Sequence, residues 1–254
     1  MKNNCYMQSP YRCRLEWGAA GAERAARRGD IVVVVDVLSF STSVAQAVSR
    51  GAVIYPCGED EDTQELAANS KAEVAVRRKH VPDKGRYSLS PLTYADIDEG
   101  TRVVLPSLNG GTCVRCSESA SSLFSGALVN ARAVAQVVTE ILRTFSLNVT
   151  VIACGEREKE PPHDLRPAIE DYLGAGAILA GIPFDKSPEA RLCESAYLAS
   201  EGQIDKLIFD SVSGRELREI GFEEDVKFAA RTDIFATVAY LQGGAFANFS
   251  NDRM

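Results

Sequence analysis

A chain of 254 residues that is 45% hydrophobic can bury a substantial core, and its composition is not that of a disordered segment. A formal net charge of −7 argues against a nucleic-acid partner, which would call for a basic face, although local arginines and backbone amides can still hold a small anion. No run approaches the roughly 18 apolar residues of a membrane span, and the N-terminal MKNNCYMQSPYRCRLEW has no apolar signal-peptide stretch, so a cytoplasmic protein with no membrane partner is expected.

In chain order, aliphatic runs predict strands at Ile31–Val35, Ala52–Tyr55, Ala72–Val76, Arg102–Leu105, Ala127–Val129 and Val149–Cys154. Amphipathic stretches at Thr42–Ser49, Asp62–Asn69, Gly111–Ser119 and Ala131–Phe145 predict helices between several of them. This alternation is that of an α/β fold with a mainly parallel sheet and helices on both faces. From about residue 165 the pattern turns helical, with Leu165–Leu179, Pro188–Ser200, Ser213–Ile220 and Glu223–Ala230 as candidates. Val238–Leu241 reads as an edge strand and the tail GGAFANFSNDRM as frayed. No linker or repeat divides the chain, so one unit is expected, with room for a C-terminal helical subdomain. The seven cysteines are odd in number and scattered, which suits free thiols; Cys113-Val-Arg-Cys116 has half-site spacing without a second pair or a nearby histidine.

Ligands of open α/β sheets sit beyond the carboxyl ends of strands, and two strand-to-helix junctions here are rich in suitable groups. In Asp36-Val-Leu-Ser39-Phe-Ser41-Thr42-Ser43 a buried strand ends in a carboxylate beside hydroxyls at a helix start. Such hydroxyls cap helices, and the free amides also suit a phosphate. A carboxylate next to an anion site calls for a proton or a cation between them, and Mg²⁺ accepts both kinds of oxygen. In Pro106-Ser107-Leu-Asn109-Gly110-Gly111-Thr112 the glycines let backbone amides close on a ligand, though the same residues also make a tight turn. Farther on, Glu170 and Asp171 open a helix and point about 100° apart, so one would meet a metal while the other orients a neighbour. The standard nucleotide-binding loops, the paired-aspartate phosphatase loop and the C-x5-R loop are all absent, and neither His80 nor His163 has a triad partner in view.

At these loops the sequence resembles the 2-phosphosulfolactate phosphatase family of coenzyme M biosynthesis. The stretches are DVLSFSTSVAQAVSRGA, LPSLNGGT, ALVNARAVA, VIACGE, IEDYLGAGA and SPEARL, followed by Ser-Gly-Arg-Glu-Leu and Glu-Asp-Val, in family order over residues ~30 to 240. The resemblance implies a Mg²⁺-dependent phosphatase acting on a small phosphorylated hydroxy acid. It puts Asp36, Asn109, Glu170 and Asp171 around the active site, with Asp36, Glu170 and Asp171 as candidate metal ligands. Ser41, Thr42, Gly110 and Thr112 fall in its phosphate loops, and Ser39, Ser43 and Gly111 join them as candidate substrate contacts.

Two departures bear on the substrate: Ser39 stands where the family commonly has arginine, and Leu89-Ser90-Pro91 where it commonly has Asn-Ser-Pro. Serine cannot supply the missing charge. The basic segment RRKHVPDKGRY offers Arg77, Arg78, Lys79 and Arg86 as replacements, with Arg77 and Arg86 the leading candidates. Whether Asp36 would ligate metal or attack phosphorus is open, as is a binding protein without turnover, or a phosphatase of this fold with another substrate. A homo-oligomer is compatible with the chain.

Overall fold

The computed structural model describes residues 7–158 and 164–249; Cys5 and His163 lie outside them. The chain opens with β1 (Cys13–Trp17) and α1 (Gly18–Arg27), then β2 (Ile31–Val35), α2 (Phe40–Ser49), β3 (Val53–Cys57), α3 (Thr63–Ser70) and β4 (Glu73–Val74). After a loop with two 3₁₀ turns come β5 (Arg102–Pro106), α4 (Gly110–Cys116), β6 (Ser122–Ser125), α5 (Ala131–Thr144) and β7 (Val149–Ala153). A small ribbon of β8 (Glu156–Arg157) and β9 (Leu165–Arg166) leads into α6 (Ile169–Ala180), α7 (Pro188–Ala199), α8 (Ile204–Asp210), α9 (Val212–Glu219) and α10 (Glu223–Ala229). The hairpin β10 (Ala239–Gln242) and β11 (Ala245–Asn248) ends the described chain.

The main sheet has nine strands in the order β1-β7-β2-β6-β10-β11-β3-β5-β4. It consists of two parallel blocks, β1-β7-β2-β6 and β3-β5-β4, joined through the antiparallel hairpin. The α/β expectation therefore holds. Strand β2 shows why its sequence is unbroken IVVVV: Ile31, Val33 and Val35 pack with the helices of one face, while Val32 and Val34 pack with α1, α2 and α4 on the other.

Several local expectations are corrected. The strand assigned to Ala127–Val129 is Ser122–Ser125; Leu128–Asn130 is a 3₁₀ turn leading into α5, in which the Asn130 side chain accepts from the Ala127 amide. Helix α6 begins at Ile169, because Leu165–Arg166 pairs with Glu156–Arg157. The run from Val238 is not an edge strand, and the tail is not frayed over its described part: Tyr240 pairs with Phe124 and Phe246 with Ile54, in the middle of the sheet. Phe246 is fully buried against Phe40. The first strand and helix, Cys13–Arg27, are not among the elements expected from the sequence. The six described cysteines are free thiols.

Candidate active site

Asp36 directly follows β2 and is 6% exposed. Its Oδ1 accepts the Phe40 amide at 3.1 Å and its Oδ2 accepts the Gly110 amide at 3.0 Å, so one carboxylate caps both α2 and α4. The approach of α4 depends on bare glycine. A Cβ on Gly110 would sit 2.5 Å from the Phe40 ring, and one on Gly111 would sit 2.3 Å from the Cys57 carbonyl oxygen. The Asn-Gly-Gly run thus brings the α4 amide end to the end of a strand in the other parallel block.

Asp171, in the first turn of α6, ties two more loops together: Oδ1 accepts the Val37 amide at 2.7 Å and Oδ2 the Gly155 amide at 2.9 Å. Its neighbour Glu170 is also buried, and Glu170 Oε2 has no hydrogen-bond partner. Glu156, just past β7, completes the acidic group. Burial and the charge of Asp36 push its carboxyl up to about 7, against a hydrogen bond from the Asn109 side chain that favours the ionised form. Burial, opposed by the two amide contacts, raises Asp36 to about 6, with Glu170 adding to the rise. Asp171 lies well above the usual carboxylate range, through burial and then the charges of Asp36 and Glu170.

Asp36, Ser39, Asn109 and Glu156 line one cleft of about 240 Å³, closed from the far side by Arg78 and by α9 through Ser213 and Glu216. Arg78 is held in place from three directions. Its Nε donates to Asp225 Oδ2 at 2.9 Å, and its Nη2 donates to Ser39 Oγ at 2.6 Å and to the Leu89 carbonyl at 2.9 Å. Asp225, on α10, also accepts from Ser90 Oγ at 2.6 Å. A guanidinium therefore stands at Ser39 although the serine itself carries no charge.

Residues 20–244 match the family model described as 2-phosphosulpholactate phosphatase. The chain belongs to this family. It is similar to a "Probable 2-phosphosulfolactate phosphatase" of Carboxydothermus hydrogenoformans, 31% identical over 84% of this chain and 87% of that protein. A protein of the same name from Pseudothermotoga lettingae is 28% identical over 82% and 88%. The "2-phosphosulfolactate phosphatase" of Methanocaldococcus jannaschii is 29% identical over 79% and 84%.

Within this family member the candidate residues fall into distinct surroundings. Asp36, Ser39 and Asn109 meet at the cleft, and Gly110 faces Asp36. Ser41, Thr42 and Ser43 are buried and donate to the carbonyls of Val34, Val37 and Leu89. Gly111 packs on Cys57, and Thr112 Oγ1 accepts the Glu59 amide at 3.3 Å. Glu170 and Asp171 are not among the residues that line the cleft; Glu170 raises Asp36 through its charge, and Asp171 feels the charges of both. Arg77 lines a neighbouring cavity, and Arg86 pairs with Glu73 at the surface. Glu156 follows strand VIAC at the edge where ligands gather, and that position is the one sequence signal that points to it. Arg78 is one of five Lys and Arg residues in a polar segment, and its anchor Asp225 is 147 positions away.

Among the described residues no three His, Cys, Asp or Glu side chains converge as a preformed metal cage. Mg²⁺ requires less, because it keeps several waters and needs only one or two carboxylates beside substrate phosphate oxygens. Asp36 and Glu156 at the cleft, mutually repelling, with the unpartnered Glu170 Oε2 behind them, fit such an ion. Among the described residues no helix is long and apolar enough to cross a membrane.

Proposed function

We propose that this protein hydrolyses the phosphate monoester of a small 2-hydroxy acid of the 2-phosphosulfolactate type, with the help of Mg²⁺. The observation that carries the reading is the meeting of Asp36, Glu156, Asn109 and Arg78 around one cleft at the carboxyl ends of β2, β5 and β7. Family membership and the names of the relatives support the reaction class.

Asp36 would hold the ion, which when bound neutralises phosphate charge and acidifies a coordinated water. Asp36 keeps both oxygens on the amides of Phe40 and Gly110, which favours a fixed ligand over a mobile nucleophile. Glu156, with a carboxyl near neutrality, suits proton transfer to or from the attacking water. Asn109 orients that carboxyl through its side-chain hydrogen bond. Arg78 would offer its remaining nitrogen, Nη1, to the acid's second anionic group, in place of the arginine that Ser39 lacks. An added arginine at position 39 would meet the Arg78 guanidinium and not an open space.

The test is a phosphate-release screen over phosphorylated 2-hydroxy acids, run with Mg²⁺ and again after chelation. Release of inorganic phosphate from one of them, dependent on Mg²⁺, is the expected result. Thermal stabilisation by these acids without release would identify a binding protein instead.

A further inference from the structure

Beside the acidic cleft lies a larger cavity of about 650 Å³, and the two share Arg78, Leu89 and Ile220 as a common wall. Past that wall the lining is mostly apolar, with Val76, Pro106 and Phe222 among its residues and Arg77 and Lys79 as its charged members. The cleft alone is smaller than the roughly 300–1,000 Å³ of sites for organic ligands, and with the second cavity it falls inside that range. The partition between the two is a built feature. Arg78 is fixed by Asp225, Ser39 and the Leu89 carbonyl, and its guanidinium carbon lies 5.6 Å from the centre of the Phe222 ring.

A sulfonate is a strongly hydrated anion that gains nothing from apolar walls, whereas an aliphatic chain or ring gains in proportion to the area it buries. We propose that this cavity is the distal half of the substrate site, and that the ligand class is a 2-phosphooxy carboxylate whose skeleton continues into an apolar chain or ring. Its phosphate lies in the acidic cleft, its carboxylate on Arg78, and its apolar end against Val76 and Phe222. This rests on the phosphatase reading above and narrows it, because the same cleft without the cavity would serve a three-carbon acid.

The test is calorimetric titration of the wild-type protein with non-hydrolysable phosphonate analogues of three phosphorylated 2-hydroxy acids whose side chains are methyl, sulfomethyl and benzyl. The benzyl compound is expected to bind about 10- to 100-fold more tightly than the methyl one, the worth of one buried apolar group. In Phe222→Ala that ratio should fall several-fold. In Ile220→Asp, at a residue 61% exposed and so tolerant of substitution, it should vanish. Equal or tighter binding of the methyl or sulfomethyl analogue overturns the proposal, as does a ratio unchanged in a folded Ile220→Asp protein. Phosphate release from the matching esters is measured in parallel. Release without a benzyl preference refutes the cavity's role and keeps the hydrolysis reading; a benzyl preference in binding with no release from any ester supports the cavity and refutes hydrolysis.

Discussion

Asp36→Asn should change the stability of the metal-free protein in a pH-dependent way. A carboxyl whose folded value lies above its ordinary one is destabilised by ionisation. Its contribution is therefore complete below about pH 4 and is lost as pH rises through about 6 for Asp36 and about 7 for Glu156. For Asp36 the shift from 3.8 to about 6 corresponds to about 3 kcal/mol at pH 8. Asparagine removes this cost and also lightens the load on Asp171 and Glu156, both of which Asp36 pushes up. Against that, an amide group cannot accept from both Phe40 and Gly110, and one unsatisfied donor costs about 1–3 kcal/mol at every pH. The difference between two pH values cancels the second effect and isolates the first. With about 2–4 °C per kcal/mol for a chain of this size, the Tm of the variant relative to wild type should be about 6–12 °C higher at pH 8 than at pH 4. The assay is differential scanning calorimetry in chelator. A relative Tm that does not move with pH would refute the idea that ionisation of the buried Asp36 carboxyl destabilises the fold.

Glu156→Gln should lower kcat by about 100- to 10,000-fold while leaving the circular dichroism unchanged, if this carboxyl moves the proton; unchanged kcat would assign it to structure. Arg78→Lys keeps the charge but cannot both hold Asp225, Ser39 and the Leu89 carbonyl and face the substrate, so steady-state kinetics should show KM rising about 10-fold or more with a smaller change in kcat. Gly111→Ala drives a Cβ into the Cys57 carbonyl and should cost about 1–3 kcal/mol in a denaturant titration, displacing the α4 amides from Asp36. With Mg²⁺ at about 100 times its dissociation constant, wild type at pH 8 should gain about 2.7 kcal/mol, and Asp36→Asn much less.

The parts of the site legible in the sequence are those encoded locally. Asp36 ends an aliphatic strand and the Asn-Gly-Gly run follows another, so strand-end logic alone gathers them, whereas Glu170-Asp171 opens a helix and does not line the cleft. What escaped depends on distant partners. Strand β1 carries Arg14 and Glu16, which break any aliphatic run and are buried because Asp30, Arg24 and Arg28 pair with them. Strand β6 hides in a serine-rich stretch, and its pairing with Ile31–Val34 decides its place. The terminal hairpin has Gly-Gly between two short runs, a turn signal that a presumption of fraying overrode. The hydroxyls of residues 41–43 looked like phosphate ligands because a helix start with serines has the same composition whether it caps, binds or, as here, donates to nearby carbonyls. Arg78 could not be chosen from Arg77, Lys79 and Arg86 without knowing that Asp225 stands opposite it.

The central claim is that the carboxylates at the end of β2 and β7 support metal-assisted hydrolysis. The most direct measurement is release of inorganic phosphate from 2-phosphosulfolactate and 2-phospholactate by wild type and by Asp36→Asn, with Mg²⁺ and after chelation. The expected result is release by wild type that requires Mg²⁺, falling to background in the folded variant. Release at the wild-type rate by Asp36→Asn, or release undiminished by chelation, would contradict it.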